Sequence, residues 1–246
     1  GSFEIVGTGL YLKAGVSLNY EAKASYSVTV RVADSSVAGS TPVTAAFSLA
    51  IVNVNARPTD ISLSTSTVAE NGPAGTDIGT FSTTDPDSGD TFAYTLVSGA
   101  GSTDNASFTL VGNQLRTAAA FDYETKNSYT VRVRSTDAGG LFTEKAFTIS
   151  VTNVNEAPTA VGFANALAAL PESTSTASRV KMADIVVTDD GIGSNVFSLS
   201  GTDASSFEII GAALYLKAGV SLDYGTKSSF DVKVDVSDTT ALYSFT

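Results

Sequence analysis

The side chains of this chain that can do chemistry are almost all oxygen donors. Cysteine, histidine and tryptophan are absent. Zinc sites of Cys/His type are therefore excluded, as are Cys–His and Ser–His–Asp nucleophiles, and no disulfide can form. Acids outnumber bases 25 to 14. They fall in short motifs with amides and turn residues: Ala69-Glu-Asn71, Thr84-Asp-Pro-Asp-Ser-Gly89, Phe121-Asp-Tyr-Glu124 and Asn153-Val-Asn-Glu-Ala-Pro158. Any metal must be bound by carboxylate and amide oxygens, which suits calcium or magnesium. Paired carboxylates also serve glycoside hydrolysis. Here, however, the acids gather at linkers and strand ends, without a phosphate-binding loop or dinucleotide fingerprint, so an enzyme is not expected. Asp85-Pro-Asp-Ser-Gly-Asp90 starts like an EF-hand loop but lacks its later glycine and its closing glutamate, position 96 being Leu96.

The elements that must position these acids recur. Phe3-Glu-Ile-Val-Gly7 returns as Phe108-Thr-Leu-Val-Gly112 and Phe207-Glu-Ile-Ile-Gly211. Leu10–Leu18 recurs identically as Leu214–Leu222, and Asn19-Tyr-Glu21, Asp122-Tyr-Glu124 and Asp223-Tyr-Gly225 follow. Six residues after each tyrosine another aromatic, Tyr26, Tyr129 or Phe230, opens a period-two stretch. Its inward faces are Tyr26, Val28, Val30, Val32; Tyr129, Val131, Val133; and Phe230, Val232, Val234, Val236. Each stretch ends at an aspartate: Asp34, Asp137 or Asp238.

Last strands are expected over residues 46–52 and 146–152, and further strands over 60–64, 78–82 and 92–97. About seven short strands per copy, separated by turn signals, describe an all-β protein of antiparallel β-sandwiches. The linkers Ile51–Pro58 and Val151–Pro158 divide it into a partial module 1–57 holding only last strands, a complete module 58–157, and a module 158–246 lacking most of its last strand. The strand around Pro42–Asn53 is a candidate to fill that gap in a neighbouring molecule; the favoured reading is plainer, an arbitrary boundary or a frayed N-terminal fragment.

The bulk composition sets limits on partners. A net charge of −11 makes nucleic acid a poor partner, and no apolar run reaches the length of a membrane span. Hydrophobic residues at 43% are enough for a packed core. The chain opens without an initiator Met or signal peptide, which leaves a fragment, a Gly1-Ser2 cloning remnant, or an export signal elsewhere.

Taken in order, the acidic motifs, Asp137 and the linker resemble cadherin-like repeats of bacterial secreted adhesins, over nearly the whole chain. The resemblance implies tandem immunoglobulin-like, Greek-key sandwich modules with Ca2+ held between them. It implies that the second junction uses Glu70, Asp122, Glu124, Asn153, Asn155 and Glu156, with Asp189, Asp190 and Asp238 from the third copy. It implies a poorer first junction using Glu21, Asn53, Asn55, Asp85, Asp87 and Asp137, where Asn19 and Ala56 replace acids. Asn153 stands where the family more often has Asp, and Asp189-Asp190 are adjacent where Asp85 and Asp87 are spaced. Taken singly, each acid reads as a turn cap or a solubilising surface charge.

The resemblance extends to the small rhizobial adhering proteins. It implies a secreted, calcium-dependent adhesin or lectin of the bacterial matrix that binds cell-surface polysaccharide or acidic exopolysaccharide in biofilm. Tyr11, Tyr94 and Tyr215 are candidate sugar-stacking residues if exposed. Such proteins leave through a type I exporter, and Asp238–Thr246 is a candidate C-terminal export signal. The alternatives are spacer modules of a giant surface adhesin, with calcium only stiffening the rod, and homophilic adhesion or self-association through the incomplete end modules.

Overall fold

The computed structural model describes residues 1–238 of the chain, which folds as two compact units. The first comprises Gly1–Asp122 and Lys126–Thr152, and the second Tyr123–Thr125 and Asn153–Thr246. Repeat copies one and two lie in the first unit. The export signal expected at Asp238–Thr246 lies, beyond Asp238, outside the described residues.

The first unit begins with β1 (Phe3–Val6), β2 (Gly9–Leu12), β3 (Ser25–Val32) and β4 (Val43–Ala50), which form two hairpins, β1–β2 and β3–β4. Copy two follows as β5 (Asp60–Leu63), β6 (Thr67–Ala69), β7 (Asp77–Thr84), β8 (Ala93–Leu96), β9 (Phe108–Val111), β10 (Gln114–Thr117), β11 (Ser128–Thr136) and β12 (Phe142–Thr152). These make two four-stranded sheets, β5-β7-β10-β9 and β6-β12-β11-β8. The fold is the expected all-β sandwich. One pairing is parallel, that of β6 with β12. The first strand of the copy is split: β5 pairs with β7 in one sheet, and the chain then crosses to the other sheet, where β12 already runs in its direction.

Period two builds the core of copy two. Ile61, Leu115, Val131, Val133 and Ile149 are fully buried. Phe81 stacks on Tyr94 at 5.6 Å, and Phe121 stacks on Tyr129 at 4.2 Å. Tyr94 is thereby committed to the core. Asn105, which fits a glycosylation acceptor in sequence, donates to the Val97 carbonyl and accepts from the Arg132 N–H, so its side chain serves the fold. The repeated glycine has a structural reason. Gly7, Gly112 and Gly211 each take φ near +60° (63°, 63° and 59°), as first residue of a two-residue hairpin loop that L side chains rarely fit. Val32, expected inward, is exposed, because it ends β3 where the chain leaves for the loop before β4.

The second unit holds β13 (Ala160–Ala164), β14 (Val180–Thr188), β15 (Asn195–Ser200), β16 (Phe207–Ile210), β17 (Ala213–Leu216) and β18 (Lys233–Asp238). Its sheets are β13-β14-β17-β16 and β15-β18. The expected strand from Phe230 starts only at Lys233. In copies one and two the opening residues of this strand are held by the next strand, Ser25 opposite Ala50 and Ser128 opposite Ser150. Among the described residues no strand takes that side of β18.

Both units carry a lock that sequence patterning did not reveal. Asp104 accepts from Lys126 Nζ at 2.5 Å and from the Thr130 N–H at 2.8 Å, while its own N–H donates to the Thr130 carbonyl. Asp203 does the same with Lys227 and Asp231. Each lock anchors a one-turn 3-10 helix before the repeated phenylalanine. The hydrogen bond from Lys227, followed by that from the Asp231 N–H, holds the Asp203 carboxyl below its ordinary value of 3.8. A lowered folded value means that the unfolded chain binds the proton first. The stabilisation is then complete above about pH 3.8 and is lost as pH falls through the folded value. Asp203→Asn should therefore speed amide exchange at Asp231 at neutral pH and leave it nearly unchanged at the acid end, as hydrogen exchange with pH will test.

Candidate metal centres

In the first unit the acids of the second motif meet the linker of copy one. In the linker Val52 and Val54 point to solvent, while the Asn53 and Asn55 side chains reach Asp87 and Asp137. Asp87 follows the end of β7 and is 6% exposed. Its Oδ1 accepts from Asn53 Nδ2 at 2.9 Å and its Oδ2 from the Ala56 N–H at 2.6 Å. The Asp87 N–H donates to Asp85 Oδ1 at 2.9 Å. Asp137 follows the end of β11, accepting from Asn55 Nδ2 at 3.2 Å and from the Leu141 N–H at 2.9 Å. Gly139 lies where any Cβ would stand 2.5 Å from the Asn55 amide, so the backbone closes on that side chain.

A fourth acid joins them. Asp85, Asp87 and Asp90 bring carboxylate oxygens within 4.8 Å of one another. The outer oxygens Asp85 Oδ2 and Asp90 Oδ2 are buried without a hydrogen-bond partner. The Ala56 N–H first, and Asn53 second, hold the Asp87 carboxyl below its ordinary value. Burial first, and then the charges of Asp85, Asp87 and Asp137, push Asp90 up. Carboxylates that converge with desolvated, unpartnered oxygens repel each other until a cation joins them. An all-oxygen donor set of this density fits calcium. Asp90 was not among the expected ligands; its only sequence signal was its place in the failed EF-hand start.

Elsewhere in the first unit, Glu70 is 3% exposed and its carboxylate lies within 4.8 Å of that of Asp122. The Asn71 N–H, donating to the Phe121 carbonyl, ties the two loops together. Glu124 is two residues further along and is exposed. Asp34, the first-copy counterpart of Asp137, only binds Ser36 in an exposed turn.

In the second unit, Asp190 Oδ2 accepts from the Glu156 N–H and Oδ1 from the Ile192 N–H, both at 3.0 Å. This repeats the bond from Ala56 to Asp87. The adjacent pair Asp189-Asp190 thus keeps the role of the spaced pair, with Asp190 in the place of Asp87. Asp189 Oδ2 accepts from Asn195 Nδ2 at 2.9 Å, and Asp238 Oδ1 from the Ser194 N–H at 3.3 Å. Asn153 Oδ1, Asn155 Oδ1 and Nδ2, and Asp189 Oδ1 are buried without hydrogen-bond partners. A Cβ at Gly193 would collide with Asn155 and Asp238, so the loop is drawn in tightly around them. This donor set also fits a hard cation.

Residues 64–152 match the family model of the cadherin domain. This is a cadherin-like repeat protein. Over 91% of its length the chain is 28% identical to protocadherin Fat 4 of mouse, of which it spans only 5%. Among solved structures, extracellular cadherin domains 1–4 of protocadherin gamma B7 superpose with a TM-score of 0.63 at 20% identity, covering 96% of this chain and 63% of that one. A protocadherin gammaB7 EC3-6 structure, described as a cis-dimer, gives a TM-score of 0.53 at 21% identity over 75% of this chain and 44% of that one. These likenesses are of fold. Cadherin-like adhesion domains are generally not enzymes, and no catalytic family is indicated. Among the described residues no helix is long and apolar enough to cross a membrane.

The cadherin-like acid group yields a two-sided prediction. Asp90→Asn removes a repelled charge, so at neutral pH it should raise the calcium-free melting temperature of the first unit and shrink the rise that calcium produces. The penalty carried by a raised carboxyl is present above its folded value and relieved below it, so the gain should vanish in acid. Asp87→Ala strips partners from Asn53 and Ala56 and should lower the melting temperature with or without calcium. Calorimetry of both variants across pH decides the matter.

Proposed function

We propose that this chain is a calcium-dependent adhesion segment of an extracellular protein, with calcium at its linkers. The observation that carries the reading is the repeated bond from the residue after each Asn-x-Asn linker, Ala56 or Glu156, to an acid of the following copy. Division into copies 1–57, 58–157 and 158–246 belongs to this proposal. The ligands of the second junction are Glu70, Asp122, Glu124, Asn153, Asn155, Glu156, Asp189, Asp190 and Asp238. Those of the first are Glu21, Asn53, Asn55, Asp85, Asp87 and Asp137, with Asp90 added. Calcium neutralises each group and stiffens the linker between copies. Extracellular modules bind calcium at about 10⁻⁴–10⁻³ M. At about tenfold excess over the dissociation constant, one such site stabilises the fold by about 1.4 kcal/mol.

Self-association is the favoured mode of adhesion, supported by the description of a gammaB7 relative of the same fold as a cis-dimer. Binding of acidic exopolysaccharide, with origin and export like those of the rhizobial adhering proteins, is the narrower form of the proposal and rests on sequence resemblance. Of its three candidate tyrosines only Tyr11 is exposed. The spacer reading is favoured by a single fact: the chain spans 5% of a much longer relative.

Calcium should raise the melting temperature relative to EDTA, and an unchanged temperature would sink the metal assignment. Sedimentation with calcium, run beside a glycan array, separates the functions. Association without glycan binding is expected. Glycan capture would move the assignment to a lectin, and neither result to a spacer.

A further inference from the structure

One dipeptide of this chain can alter its own covalent structure. Asparagine is thermolabile, because its amide carbon lies within ring-closing reach of the next residue's backbone nitrogen. A side chain on that next residue crowds the ring, so glycine leaves the approach most open. Asn71-Gly72 is the one Asn-Gly step in the sequence. It stands in the loop 70–76 between β6 and β7, which forms no strand, and Asn71 is exposed. A loop of this kind opens locally at low cost.

The fold asks for both residues. Asn71 takes φ 61°, in the left-handed region that glycine and asparagine tolerate best. A Cβ at position 72 would stand 2.8 Å from Thr76 Oγ1, which is held by donating to the Pro73 carbonyl at 2.6 Å. The reactive pair is therefore built into the turn. Among the described residues, Asn165 is the other non-glycine with positive φ, at 53°. It precedes Ala166, and its amide donates to Asp184 at 2.9 Å. Asn53, Asn55 and Asn105 precede Val54, Ala56 and Ala106, and their amides donate to Asp87, Asp137 and the Val97 carbonyl.

We propose that Asn71-Gly72 is a self-modification site, which turns a neutral residue beside Glu70 into an acid. The Gly72 nitrogen gives up its proton to hydroxide and bonds to Asn71 Cγ. The Cγ–Nδ2 bond breaks, and ammonia leaves with a proton from water. Water then opens the resulting succinimide. Opening at Cγ gives aspartate; opening at the main-chain carbonyl gives isoaspartate, with the chain running through Cγ. Glu70 is 3% exposed, and its carboxylate lies within 4.8 Å of that of Asp122. The new charge joins two acids that already repel each other. Isoaspartate also lengthens the main chain in the turn where the Asn71 N–H donates to the Phe121 carbonyl. The chemistry uses no calcium and does not rest on the adhesion reading.

The full chain is kept folded in EDTA at neutral and mildly alkaline pH, beside the same chain unfolded in urea. Peptide mapping and isoaspartyl methyltransferase labelling follow both over weeks. The folded chain is expected to gain the mass of an amide turned carboxyl, together with the methyl label, at Asn71 before any other asparagine. Conversion should run faster at the alkaline end. Asn71→Gln, whose amide would have to close a larger ring, should lose the label at this site. The aged chain should melt below the fresh one in EDTA, as should Asn71→Asp, which adds the charge to an unaltered backbone. An Asn71 that stays intact in the folded chain while the urea sample converts overturns the proposal, as does earlier conversion at Asn165. Equal melting of Asn71→Asp and the fresh chain overturns the link to Glu70. An intact Asn71 leaves the calcium reading standing, and a failed calcium titration leaves the modification standing.

Discussion

The bond from a linker N–H to a carboxylate of the following copy is the constraint around which the acidic loops are arranged. Asp87 takes the N–H of Ala56 and Asp190 that of Glu156. Each bond holds a carboxylate against an Asn-x-Asn segment. Once one acid is fixed there, the neighbouring acids in the same loop and at the end of the paired strand must share its space. Asp137 reaches Asn55 for this reason. Asp90 is pushed toward its neutral form by burial and by the charges around it. The acids gathered at the linker repel one another, and an all-oxygen group of this kind has the chemistry that fits a divalent cation.

The rest of the sandwich keeps these loops in place. β7 and β11 deliver Asp87 and Asp137 from the two different sheets of copy two. Their separation is set by the core between the sheets, where Phe81, Tyr94 and Phe147 pack together. On the same sheet as β11, Glu144 accepts from both Arg134 and Arg132, and these hydrogen bonds, that from Arg134 first, hold its carboxyl below its ordinary value. These half-exposed pairs order the surface and add little stability. The Asp–Lys locks at Asp104 and Asp203 hold the loop before β9 and β16, so the aromatic that opens the sandwich floor is positioned identically in both units.

Much of this was legible in the sequence, because period-two alternation and repeated glycines are local signals. β11 and β12 follow directly from Tyr129-x-Val-x-Val and Phe147-x-Ile-x-Val. Other features depend on contacts distant in sequence. Asp90 becomes a member of the acid group only because its loop folds back on Asp85 and Asp87. The adjacent Asp189-Asp190 looked like a departure from the spaced pair. The left-handed backbone at Gly191 and Gly193 lets the shorter spacing deliver Asp190 to the same N–H. The split of the first strand into β5 and β6 was invisible, since three residues bear no readable period.

The late start of β18 shows most clearly how alternation and pairing differ. Phe230-x-Val-x-Val-x-Val alternates as well as Tyr129-x-Val-x-Val does, yet its first residues do not become a strand. Alternation supplies a face to bury, whereas a strand also needs its N–H and C=O groups paired. In copies one and two the following strand supplies that pairing, and in copy three, among the described residues, β18 pairs only with β15, on the other side. Phe207, Leu216 and Phe230 line a groove there. Leu222 stands where copy two has Phe121, and it cannot fill that space as the Phe121–Tyr129 stack does.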